Sequence, residues 1–116
     1  MSFFQRVFRK NSESYTQSDA ISAAETAPSS DTDGVAMSSG AQFIQFFPSD
    51  LDAITDYSLQ LWAYINSKWT CFAERLNLGT ISRWSEVALT ASGATRYMVR
   101  VSAITGTSLK KNYRQV

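Results

Sequence analysis

The 116-residue chain contains no histidine. That absence removes the commonest general base, the commonest metal ligand and every Ser/His or Cys/His nucleophile pair. Cysteine is nearly absent as well. Cys71 stands alone, so an intramolecular disulfide is excluded and a standard zinc site lacks its ligands. Only two prolines and five glycines punctuate the chain, and no glycine-rich phosphate loop is present. Gly79, Gly93 and Gly106 are isolated and each falls where a turn is expected. No apolar run approaches the roughly 18–20 residues of a membrane span, there is no secretory hydrophobic region, and no Asn-x-Ser/Thr acceptor occurs. The expectation is an intracellular, cytoplasmic or peripherally membrane-attached protein, not a secreted one. It has no cofactor, metal or catalytic residues, and is not an enzyme.

Charge is nearly balanced at +1 but unevenly placed. Residues 11–40 hold five acids and no base, whereas residues 93–116 hold five bases and no acid. Three regions follow from composition. Residues 1–10 form a basic-aromatic amphipathic segment. Phe3, Phe4, Val7 and Phe8 share one face of a helical turn, and Arg6, Arg9 and Lys10 lie on the other. Such a segment suits a lipid headgroup layer or a groove on a partner. Phe3, Phe4, Arg6, Phe8 and Arg9 are therefore the candidate membrane or partner contacts. Residues 11–40, rich in Ser, Thr, Ala and Asp, read as a disordered acidic linker, too polar to offset the entropy of ordering. Residues 41–116 read as a small α+β domain.

Within that domain, residues 41–47 are β-prone and end at Pro48. Ser49 then suits a helix N-cap, with Asp50 and Asp52 favourable against the helix dipole. Leu51, Ile54, Ser58, Leu61, Trp62, Ile65, Trp69, Phe72 and Leu76 step by threes and fours, which predicts one long amphipathic helix over residues 49–78. Gly79 is its stop, and Asn66-Ser67 is where a break would fall. Residues 80–90 and 94–105 are strand candidates joined by a turn, forming an antiparallel hairpin packed on the helix. In the second of these, Tyr97, Val99 and Val101 alternate with Arg96, Met98 and Arg100. Residues 107–116 form a basic tail with the character of a last edge strand.

Two further surfaces stand out. Tyr57 and Tyr64, with Trp62 and Trp69, widen the apolar arc of the helix beyond the roughly 100° that a one-sided surface helix needs. These four are the candidate self-association residues, since Tyr and Trp are enriched in interface cores. Arg96, Arg100, Lys110, Lys111 and Arg114, interleaved with Tyr97 and Tyr113, are candidate contacts for an anion or nucleic acid. The expected function is that of a small non-enzymatic structural or accessory protein. It would form a homo-oligomer or bind a protein partner, and touch an anionic membrane through its N-terminus. In general character, though by no motif, it is matrix-like or like a viral accessory protein. The alternative is a nucleic-acid-binding module using the basic C-terminal strand and tail.

Overall fold

The computed structural model describes residues 14–89 and 92–116. They form eight strands and no helix: β1 (Thr16–Gln17), β2 (Val35–Ala36), β3 (Phe43–Asp52), β4 (Asp56–Ile65), β5 (Lys68–Arg75), β6 (Ser85–Ala88), β7 (Arg96–Thr105) and β8 (Ser108–Gln115). The fold is all-β, and the α+β expectation is overturned. Two antiparallel four-stranded sheets pack face to face, one ordered β1-β8-β3-β6 and the other β2-β7-β4-β5. The shortest dimension, 20 Å, fits two layers about 10 Å apart.

The predicted helix over residues 49–78 is instead the end of β3, all of β4 and all of β5. Along β4, Tyr57, Leu59, Leu61 and Ala63 are fully buried, whereas Gln60, Trp62 and Tyr64 are only partly so. That is a period of two. The apparent helical stripe mixed both faces of this strand, taking Leu61 from the inside and Trp62 from the outside. Asn66 and Ser67 both adopt positive φ, 52° and 64°, between the paired residues Ile65 and Lys68. Two central residues with φ > 0 make the tight hairpin turn whose twist suits antiparallel strands. The helix cap proposed at Ser49 is a β-irregularity: register shifts between Ser49 and Asp52, with Asp50 at φ 50°. Pro48 sits inside β3 but beyond the last β6 pairing, and its carbonyl accepts the Ser82 hydroxyl rather than a ladder N–H.

The expected hairpin of residues 80–90 and 94–105 does not form either. Its first half contributes only β6, which pairs with β3, and its second half is β7, which pairs with β4. The two lie in opposite sheets. The strand that follows β7 in sequence, β8, lies in the other sheet, and the chain crosses between them at Gly106. Its φ is 141°, and a Cβ there would collide with the Ala53 carbonyl.

The core lies between the sheets. Ile44, Phe46, Tyr57, Leu59, Leu61, Ala63, Val99, Val101 and Leu109 are essentially inaccessible, with Ile54, Leu89 and Tyr97 beside them. Truncating one of the large aliphatics, such as Leu59 to Ala, costs about 2–5 kcal/mol.

Candidate interaction surfaces

Residues 14–40, expected to be a disordered linker, run extended along the β8 and β7 edges as a strap. It pairs first with β8, through Thr16–Tyr113 and Gln17–Asn112. Ser18 follows, its N–H donating to the Lys111 carbonyl and its hydroxyl accepting from the Lys111 N–H. Ile21 and Leu109 then form a reciprocal bridge at 2.7 and 3.1 Å. The strap next crosses to the other sheet. The Glu25 N–H donates to the Val101 carbonyl, and the Glu25 carboxylate accepts the Val101 N–H at 2.9 Å. A side chain thus takes the place of a ladder carbonyl. The strap finishes as β2, pairing Val35 with Tyr97 and Ala36 with Arg96. Ile21, Val35 and Met37 pack on the core cluster, so a few apolar side chains spaced along a polar segment anchor it.

Each candidate anion-binding residue is placed against an acceptor or ring of the chain itself. Arg96 donates to the carbonyls of Thr32, Asp33 and Gly34 at 2.7–3.2 Å. Arg100 donates to the Glu25 carbonyl and to Gln60 Oε1, both at 2.7 Å. Lys110 pairs with Asp50 at 3.3 Å on the surface. Lys111 is buried, and its ammonium reaches both Glu25 carboxylate oxygens (2.9 and 3.0 Å) and the Val99 carbonyl (2.6 Å). Those three acceptors match its three protons. Arg114 donates to Gln45 Oε1 and lies 4.3 Å over the Tyr15 ring. Arg96 and Arg100 share the outer face of β7 as the alternation implies, but Lys111 points into the sandwich and Arg114 lies on the other sheet. The five do not form one array.

The four candidate self-association residues separate likewise. Tyr57 is fully buried; its hydroxyl donates to the Ile81 carbonyl and accepts the Arg83 N–H. It pins the connection between β5 and β6 and takes no part in the surface. Burial raises the Tyr57 pKa. Trp62, Tyr64 and Trp69 do share a face, the outer side of β4 and β5. Trp69 and Tyr64 are paired across the strands with ring centroids 5.2 Å apart. The strap partly covers this row. The Trp69 indole N–H donates to the Ser30 carbonyl, and Gly34 lies so near Trp69 and the Tyr97 carbonyl that no Cβ would fit. Gln60 is the hub of the face, bonded to Trp62, Arg100 and Glu74. The candidate N-terminal contacts, Phe3, Phe4, Arg6, Phe8 and Arg9, lie outside the described residues.

The surface that sequence reasoning missed is on the far side of the sandwich. Among the described residues, the exposed large apolar side chains are Phe72, Leu76, Ile81 and Trp84, at 38, 55, 57 and 51% exposure. All belong to β5 or to the connection that carries the chain to β6. β5 itself is the outermost strand of its sheet, eight residues long, and pairs only with β4 among the described residues. The sequence signal was present, because a run of eight residues after a two-residue turn is an edge strand if it has one neighbour only. It was hidden by the helical reading.

Cys71 lies on β5 opposite Trp62, and burial, followed by the Glu74 charge, pushes its thiol pKa up. Among the described residues no group of three or more acidic, His or Cys side chains is placed to hold a metal ion. No family model matches the chain, and no curated protein or solved structure matches it.

Proposed function

We propose that this protein is a non-enzymatic interaction module that self-associates through the β5 side of its sandwich. One observation carries the reading: the two sides of the sandwich are treated oppositely. The β7 and β8 edges are covered by the chain's own strap, while among the described residues nothing but β4 pairs with β5, and Phe72 and Leu76 are exposed beside it. An uncovered long edge flanked by apolar side chains is a template for pairing with another chain. The basic residues favour the nucleic-acid alternative less, because their donors are directed at the strap carbonyls, Glu25, Asp50 and Gln45.

Sedimentation velocity of the full chain over a range of concentrations tests this. The expected result is a concentration-dependent species heavier than 12.9 kDa, the mass of one chain. Changing Phe72 and Leu76 to Ser should move it toward monomer with an unchanged far-ultraviolet spectrum. A single monomeric boundary throughout the concentration range overturns the proposal.

A further inference from the structure

We infer that the covered side of the sandwich holds a binding site for a small neutral carbonyl compound, an amide with a compact apolar body. The site lies in the gap between two legs of the strap. The first leg ends its bonding to β7 at Glu25, opposite Val101, and the second begins at Val35, opposite Tyr97. Val99 lies midway between those positions. The backbone groups of an antiparallel strand alternate from one edge to the other, so Val99 turns its N–H and carbonyl to the same edge as Val101. Its carbonyl accepts the Lys111 ammonium at 2.6 Å, but no described residue on that edge accepts its N–H. Val99 is only 2% exposed, and a buried N–H without an acceptor is rare.

A cleft of about 250 Å³ includes this position, lined by Gly34, Val35, Met98, Val99, Lys111 and Tyr113. Its second donor is the Tyr113 hydroxyl, which has no hydrogen-bond partner among the described residues. Burial, followed by the Glu25 charge, raises the Tyr113 pKa, so the phenol keeps its proton. The three Lys111 protons are already taken by Glu25 and the Val99 carbonyl. That ion pair is neutral as a unit, and its carboxylate opposes an anion. Two neutral donors with no cation to spare suit a neutral acceptor oxygen. Val35 and Met98 supply apolar wall for the rest of the ligand. The volume exceeds the roughly 150 Å³ that takes benzene. It falls short of the roughly 300 Å³ where drug-sized pockets begin. One ring bearing one amide fits between those bounds.

Titration of the isotope-labelled full-length protein with benzamide, followed by heteronuclear NMR, tests this. The expected result is a saturable shift of the Val99 amide at millimolar benzamide, whereas benzoate, of the same shape but anionic, leaves it in place. Tyr113→Phe should weaken benzamide binding about fivefold with the rest of the spectrum unchanged. Met98→Trp, which fills the cleft from its wall, should abolish the Val99 shift. A Val99 amide that does not respond to benzamide overturns the inference. A response to benzoate as strong as that to benzamide overturns the choice of a neutral ligand. A saturable shift that neither variant alters would put benzamide elsewhere on the chain and overturns the site. The cleft lies on the side of the sandwich away from β5, so none of these outcomes bears on self-association.

Discussion

The carboxylate of Glu25 closes on the buried ammonium of Lys111, 86 positions away in sequence, and the same carboxylate accepts the N–H of Val101. One acid from the strap therefore links β8, where Lys111 sits, to β7, where Val101 sits. It does so where the two sheets meet along their covered side.

Removing one member of that pair strands the other. Glu25→Gln keeps the acceptor for Val101 but leaves the Lys111 charge buried without its counter-ion. The expected loss is about 3 kcal/mol, toward the low end for a broken buried pair because Glu25 retains some solvent contact. Glu25→Gln combined with Lys111→Met should cost less than Glu25→Gln alone. Chemical denaturation of the single and double variants checks this, and simple additivity would show that the pair is not coupled.

The tyrosines set an upper pH limit. Burial, helped by neighbouring Tyr113, pushes Tyr97 up to about 12, and burial raises Tyr113 as well. The folded state then holds a proton that the unfolded chain gives up near pH 10. Stability from this source is fully present below pH 10 and is lost as pH rises toward 12. Fluorescence-monitored unfolding across pH 8–12 should show stability falling only above about pH 10. Tyr97→Phe should reduce that fall. An unchanged profile in the variant would assign the alkaline loss to other groups.

Tyr57 is expected to behave as a core pin. Tyr57→Phe removes the hydroxyl that meets the Ile81 carbonyl and the Arg83 N–H, at a cost of about 1–2 kcal/mol. Amide exchange should quicken in the connection between β5 and β6. The oligomeric state at low denaturant should not change.

For the N-terminal segment, deleting residues 2–10 should abolish any salt-sensitive co-flotation with anionic vesicles. Equal flotation of the full and shortened chains would rule out the membrane contact expected of Phe3, Phe4, Arg6, Phe8 and Arg9 from the sequence.

The strand character of β7 and the inward set Tyr97, Val99 and Val101 were legible from alternation alone. β4 and β5 were not, for a physical reason. Trp62, Tyr64 and Trp69 put aromatic side chains on the outer face, where the strap at Ser30 and Gly34 covers Trp69 and Tyr64 packs against it. A strand apolar on both faces loses the two-residue period, and its residues can be threaded by a helical one. The strap was illegible for a related reason. Arg96 binds three main-chain carbonyls, and carbonyls have no signature in sequence. Neither does the choice of Glu25, among five similar acids, as the one that meets Lys111.

The short β2 would also decide where assembly through β5 ends. Joining two copies at β5 would give a continuous eight-stranded sheet, β2-β7-β4-β5 followed by its mirror in order, finishing on a two-residue strand at either end. Such stubs offer a third chain almost nothing to extend. Growth would then stop at two, and the strap would act as a terminator that separates a discrete pair from an open-ended ribbon.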